Sequence, residues 1–545
     1  PDCLYLVATG SLELFRAGPP PSAPLDVLGE GAAVGEMGVL TQERRSLSVR
    51  ARRDATLVRV PATIFERVLD EHASVSRRLA HTLSDRLKRT TVMAAPRVPP
   101  VSAIAVWGAC DAAVFAAVLA DLRQAWARTG QRVTTLSGPG AGVPLDRVRL
   151  AASLAAAEQA RDLVICACDE VSPEFAAWSV QQADLVLLVG KAGTAPLAQR
   201  WPADLSHARK HGARVELALV RAPGTPPRDT AAWLDATAAE AHHHLVAGDA
   251  ADFDRLVRRL TGRAWGLVLS GGGARGFAHI GVIRALREAG APIDMIGGTS
   301  MGAVLAVQYA MGADPGQMLE MTRHAYVSKR GARDFTMPFV SLRTGRDTMR
   351  TLRAMFDERA LEDLPTPCFC VSCNLTRARV ETHDRGPAWF WARVSCSVPG
   401  LLPPVPYRGD LLVDGGLLDN LPVVEMRRRL GGRVVASDVS VDVDLAVDAG
   451  LASEAPWSGA GQLLRVITGR PRLPTIADVL MRAAEIGSVR DAKAAGSPAD
   501  LYLDIPVDGI TMSDFRAIDH IVTLGYDYTA RRIEEHRSRH GRDAF

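Results

Sequence analysis

The sequence predicts a multidomain α/β protein built from three consecutive blocks, and three observations carry that prediction. At 545 residues the chain is long enough for about three domains of roughly 100 to 200 residues each. A content of 47% hydrophobic and 23% charged residues is that of an ordinary folded protein and excludes a disordered chain. The hydrophobic pattern also changes twice: short β-rich runs give way near residue 96 to alternating strands and helices, and a second alternating series starts near residue 263.

The first block, 1–95, reads as a β-roll. Leu4 to Phe15 is strand-like, the Pro-rich stretch Gly18 to Pro24 has the composition of a hairpin tip, and Pro61 to Arg89 is helical in pattern. The chain opens at Pro1 directly into strand, which reads as a truncated start and leaves room for an upstream anchor.

In the middle block, 96–262, the apolar runs Ile104 to Trp107, Leu163 to Cys168, Leu185 to Val189 and Val215 to Val220 alternate with Ala-rich helices, the pattern of a Rossmann-like α/β connector. The longest apolar stretch, Val101 to Leu119, is broken at Asp111 and reads as strand, turn and helix instead of a membrane span. A phosphate loop of the form GxxxxGK[ST] is missing, since Gly190-Lys191-Ala192 has neither the loop nor the hydroxyl, so nucleotide triphosphate hydrolysis is not expected.

The third block, 263–545, carries the chemistry. A strand, Trp265 to Leu269, runs into Ser270-Gly271-Gly272-Gly273-Ala274-Arg275-Gly276 and then a helix. Uncovered amides at a helix start hold an anion, either a phosphate or the oxyanion of acyl transfer. A dinucleotide reading fits Gly271, Gly273 and Gly276, with Asp294 18 residues further on. It is disfavoured because a ribose-binding acid belongs at the end of the second strand, whereas Asp294 stands near its start. That strand runs into Gly298-Thr299-Ser300-Met301-Gly302 ahead of an apolar helix, a GxSxG elbow whose glycines let strand and helix approach while Ser300 projects. The strand Leu411 to Val413 ends in Asp414-Gly415-Gly416, an acid at a strand terminus beside a sharp turn. Of the downstream histidines, His520 lies in a helical pattern and His536 and His540 near a polar tail, so a Ser-Asp dyad uses what is present better than a triad does. Partial burial would tune the aspartate toward neutrality as a base.

GGGARGFAHIGV, GTSMG and DGG, in this order, resemble the patatin-like phospholipases, a family of serine-aspartate lipid acyl hydrolases. His242-His243-His244, Asp252 to Gly262, Ser395 to Pro404, Asp419-Asn420-Leu421-Pro422 and the domain order resemble the neuropathy target esterase branch. The resemblance implies a three-layer α/β/α hydrolase with its motif-bearing core at 266–427. It makes Ser300 the nucleophile and Asp414 the base, with Gly271, Gly272, Gly273, Arg275 and Gly276 forming the oxyanion hole. Gly298 and Gly302 flank the elbow, and Gly415 and Gly416 form the DGG turn. The implied activity is hydrolysis of fatty-acyl esters of lysophospholipids or phospholipids, presented by a membrane or micelle, without a metal or other cofactor. Ser270, where relatives often carry glycine, should leave the loop intact.

Gly35-Glu36-Met37-Gly38-Val39-Leu40 with Arg44-Arg45-Ser46 resembles the phosphate-binding cassette of cyclic-nucleotide-binding domains. Glu36 would then accept the ribose 2′-hydroxyl and Arg45 pair with the cyclic phosphate. Leu47, replacing a small residue, would crowd that ligand, and a β-roll kept for structure or regulation is the plainer reading. A second class of function is thus a cyclic-nucleotide-responsive regulatory protein whose hydrolase part is silent.

The remaining signals are weaker. A net charge of +3 gives no argument for a nucleic-acid partner, and eight cysteines are too few for a disulfide framework, which favours free thiols in a reducing compartment. Cys368, Cys370 and Cys373 read as buried thiols in a strand, and His242 to His244 as capping or packing against the catalytic block; no metal site is expected. Trp389, Phe390 and Trp391 read as core residues of a strand, with a membrane interface as the alternative. Asp448 to Pro474 reads as a mobile excursion, followed by the apolar stripe Ile476, Val479, Leu480, Ala483, Ile486. Preference for Arg over Lys suggests a GC-rich bacterial genome, with the protein cytoplasmic or membrane-peripheral.

Overall fold

The computed structural model describes residues 2–16, 26–42, 47–72 (except 53), 101–327 (except 140–142, 161–162, 170, 197–204 and 211–212), 334–441 (except 335 and 338) and 499–541, with 45, 75, 479, 482, 483, 486, 487 and 545 besides. The Pro-rich tip at 18–24, Arg44, the helical pattern beyond 75, the excursion 448–474 and most of the apolar stripe lie outside them. Two compact units are present, Pro1–Arg263 and Ala264–Phe545.

In the first unit, Cys3–Thr9 pairs antiparallel with Ala33–Val34 and Thr56–Pro61, and Leu12–Arg16 with Asp26–Leu28 and Leu47–Ala51. The run read as one strand is therefore two, because Gly10 sits at φ 83°, and a Cβ there would meet the Asp54 carbonyl at 2.3 Å. Alternating Val7, Leu12, Leu14, Leu28 and Val34 fill the small β core.

Residues 101–260 form a six-stranded sheet, parallel throughout, in the spatial order Ala241–Val246, Arg214–Arg221, Leu185–Lys191, Ala103–Gly108, Leu163–Cys168, Val133–Ser137. Both faces are covered by helices, which is why its central strands are apolar on both sides. Numbered along the chain, the order is 2-3-1-4-5-6, which exchanges the second and third strands relative to a dinucleotide-binding fold. His243 is buried in this sheet, its Nε2 2.7 Å from Glu216 Oε2. Burial resists the Glu216 charge, but Arg214 and His243 overcome it and hold the carboxyl at about 2.

The second unit is a three-layer α/β/α domain. Its sheet runs Val405–Tyr407, Asp410–Asp414, Cys368–Asn374, Met295–Thr299, Trp265–Leu269, Arg433–Asp438, Leu501–Asp504, with Arg379–His383 paired beside Cys368–Asn374. The strands from Cys368–Asn374 to Leu501–Asp504 are parallel, and Asp410–Asp414 returns antiparallel. One face packs on the helices Ala278–Glu288, Met301–Ala310 and Ile518–His540, and the other on Val423–Leu430. Gly281 and Gly525 bring two of these helices together: a Cβ on the first would meet the Val522 carbonyl at 2.1 Å, and on the second the Ala278 carbonyl at 2.2 Å. That close crossing fixes the helix that follows the glycine-rich loop.

The aromatic cluster departs from the sequence reading. Trp389, Phe390 and Trp391 lie in a helix, Ala388–Ser395, that starts after Pro387. Trp391 stacks on His383 at 3.6 Å and meets Tyr407 edge-on, contacts from other parts of the chain that outweigh the β preference of three aromatics in a row.

Candidate active site

Sheet register brings the two candidate catalytic residues to one level. Leu269 stands beside Gly298 in parallel strands, so the glycine-rich loop and the elbow leave the same carboxyl edge. Thr299 stands beside Val371, and the next residue on that strand, Ser372, faces Asp414. Ser300 and Asp414 are thus each one step from the intervening strand at the same height.

The elbow is tight for a steric reason. Ser300 has φ 54° and ψ −123°, a strained conformation for a residue with a side chain, and it caps the helix Met301–Ala310. A Cβ on Gly302 would lie 2.3 Å from the Leu269 carbonyl oxygen, and one on Gly298 2.6 Å from the same atom. Only glycine permits the crossing. Gly415 is equally constrained, 2.7 Å from the Val371 carbonyl.

Asp414 is buried, and burial pushes its carboxyl up to about 6, with the Ser300 hydroxyl and the Gly416 amide opposing the rise. Oδ1 accepts the Gly416 N–H at 2.8 Å, while Oδ2 has no hydrogen-bond partner among the described residues. The Ser300 hydroxyl is near enough to favour the carboxylate without closing a bond to that oxygen. No histidine is recorded against either residue among the described ones. His536 packs on Trp265 at the opposite end of its strand, and His520 is exposed.

The glycine-rich loop divides its labour. The Gly271 N–H is held by the Asn420 side-chain oxygen at 3.0 Å, and the Arg275 N–H by the Gly272 carbonyl at 3.1 Å. The Arg275 guanidinium is buried and donates from Nε to the Ile510 carbonyl at 2.6 Å. Gly276 packs against Met301. The amides of Gly272 and Gly273 have no acceptor among the described residues, so both are able to donate to an anion. The loop also lies on Ser300: a Cβ on Gly271 would come within 3.1 Å of Ser300 Cβ.

Several residues that hold this arrangement have no role legible in the motifs. Ser270 Oγ accepts the Val439 N–H at 2.9 Å, so serine is accommodated at that position by a bond glycine could not make. His279 bridges Ser437 Oγ at 2.8 Å and the Ser270 carbonyl at 3.0 Å, and its burial lowers its pKa to about 4, which keeps it neutral. Asn420 was visible only as part of a motif. Asp294 accepts the Trp265 N–H at 2.9 Å, a structural duty that leaves the dinucleotide reading without its acid.

Residues 267–427 match the family model described as patatin-like phospholipase. In this stretch the chain is similar to the patatin-like phospholipases. Residues 1–72 match the cyclic nucleotide-binding domain, and 120–252 the neuropathy target esterase family P-loop like domain. The lysophospholipase nte1 of Aspergillus fumigatus is 29% identical across 98% of this chain and 41% of its own. Patatin-like phospholipase domain-containing protein 6 of Pongo abelii is 28% identical across 97% of this chain and 43% of its own. The chain thus spans about two fifths of the length of these relatives. Both are eukaryotic and lend no support to the bacterial origin suggested by arginine usage. Among the described residues no helix is long and apolar enough to cross a membrane, and no group of His, Cys, Asp and Glu forms a metal site.

In the first unit Glu36 is buried at the start of the helix Glu36–Thr41. Arg45 is exposed, donates to the Cys3 carbonyl at 2.8 Å and lies against Gly35, where a Cβ would be 2.2 Å from its Nη1. The two residues singled out from the cassette are therefore neighbours across Gly35.

Proposed function

We propose that this chain is a serine esterase that hydrolyses fatty-acyl ester bonds of lysophospholipids or phospholipids through Ser300 and Asp414. The observation that carries the reading is the buried Asp414 carboxyl, with one oxygen left unbonded, at the level of a strained Ser300 elbow. Ser300 Oγ attacks the ester carbonyl as its proton passes to Asp414, and the Gly272 and Gly273 amides hold the tetrahedral oxyanion. Asp414 returns the proton to the departing alcohol, then takes one from the water that attacks the acyl-enzyme and passes it to Ser300 Oγ as the fatty acid leaves. The names of the relatives favour a lysophospholipid substrate. The protein would meet it at a membrane or micelle surface as a peripheral enzyme, with the three-part division 1–95, 96–262 and 263–545 separating regulation from catalysis.

Product analysis on a panel of lysophospholipids, phospholipids and triacylglycerols tests this reading. Free fatty acid from the first two, absent with Ser300→Ala, is expected; no release from any phospholipid overturns it.

A second reading, cyclic-nucleotide binding in the first block, is favoured by Arg45 standing beside Gly35 and Glu36. Its test is calorimetry with cAMP and cGMP. A binding heat that Arg45→Ala removes supports it, and equal heats from both proteins, or none, dispose of it.

A further inference from the structure

The helix Ala388–Ser395 ends in Ser395-Cys396-Ser397, and this tripeptide touches both members of the candidate dyad. The Ser300 N–H donates to Ser395 Oγ at 2.9 Å, and the Ser395 hydroxyl donates to the Val371 carbonyl at 2.6 Å. The Asp414 N–H donates to the Ser397 carbonyl at 3.0 Å. Ser395 and Ser397 are fully buried. Between them Cys396, partly exposed, has a thiol pushed upward by burial and by Asp414, with the Ser300 hydroxyl opposing, so it borders both groups.

Ladder geometry explains why a hydroxyl stands at 395. The Ile296 N–H bonds the Pro367 carbonyl at 3.0 Å, and in a parallel ladder every second amide repeats that step. The amide of residue 300 would next bond the Val371 carbonyl, since Thr299 stands beside Val371. The elbow turns the chain off the ladder there, which would leave a buried donor and a buried acceptor unpaired. The Ser395 hydroxyl is spliced between them, accepting from one and donating to the other. Only a group that does both fits, and a hydroxyl does.

We propose that Ser395 is a positioning residue, whose hydroxyl replaces the ladder bond broken by the elbow and so fixes the Ser300 backbone in its strained, reactive conformation. The Ser397 carbonyl fixes the Asp414 backbone from the same helix end, so the two reacting side chains share one rigid mount. This inference rests on the dyad reading. Loss of the hydroxyl lets the elbow relax by a fraction of an ångström, which slows acylation without altering the acyl-binding surface.

The experiment measures kcat and KM on a lysophospholipid, and the rate of labelling of Ser300 by a fluorophosphonate, for wild type, Ser395→Ala, Ser395→Cys and Ser395→Thr. In Ser395→Ala, kcat and labelling rate should each fall by roughly 10- to 100-fold with KM within about twofold. Ser395→Cys, near in volume but a poor hydrogen-bond partner, should fold and show the same fall even if the alanine variant does not, and Ser395→Thr should recover part of the loss. Wild-type kcat and labelling in a folded Ser395→Ala or Ser395→Cys protein overturns the proposal while leaving the dyad intact. Absence of labelling and turnover in the wild type overturns the dyad, and this inference with it.

Discussion

The side-chain oxygen of Asn420 accepts the Gly271 amide at 3.0 Å across 149 residues of sequence, and the Asn420 amide reaches Ser440 Oγ at 3.2 Å. One buried carboxamide therefore ties the first glycine of the loop to the segment after the strand Arg433–Asp438, and it removes Gly271 from the set of free donors. Asn420→Ala should cost about 1–3 kcal/mol of stability, because the Gly271 N–H keeps only its long bond to the residue's backbone carbonyl at 3.4 Å. Turnover should drop as the Gly272 and Gly273 amides lose their register. Thermal denaturation and kcat on the same preparation check both; unchanged values would show that the loop holds itself.

Gly302→Ala places a Cβ against the Leu269 and Ser270 carbonyl oxygens, both backbone atoms that cannot swing aside. The expected loss is roughly 1–3 kcal/mol, of the order found for overpacked cores. A urea midpoint equal to that of wild type would mean that the crossing of strand and helix is looser than its geometry implies.

Asp414 sets a pH dependence. In its proposed role as base it must be ionised, and with its carboxyl raised to about 6, kcat/KM should fall about tenfold for each pH unit below that value. Stability moves the other way. The folded state holds this proton more tightly than the unfolded chain, so the group favours the fold most below pH of about 4 and loses that contribution as pH rises through 6. Asp419, whose carboxyl burial also pushes up to about 6, titrates in the same range. Asp419→Asn should keep the acidic limb in a pH–rate profile, which assigns the limb to Asp414.

How much of this was legible in the sequence depended on where the causes lie. Leu163–Cys168 and Trp265–Leu269 are strands with the bounds that their apolar runs give, because burial on both faces of a parallel sheet writes itself as an uninterrupted run. Ser300 and Asp414 were visible because strand, tight turn and glycine spacing are local. The partners that hold them were not. Ser395 meets Ser300 from 95 residues away and Asn420 meets Gly271 from 149, and such pairings follow from strand order, which no local pattern encodes. The division of the loop into engaged and free amides was hidden for the same reason. The helical aromatic cluster shows the reverse failure, a local β preference overridden by the stacking of Trp391 on His383.

The central claim is that Ser300 carries an alcohol activated by Asp414. Fluorophosphonate treatment followed by peptide mass mapping tests it most directly, on the wild type and on Asp414→Asn. The account predicts a single adduct on Ser300 in the wild type and a labelling rate at least about 100-fold lower in the variant. An adduct on another serine, or equal labelling of Ser300 in both proteins, would contradict it.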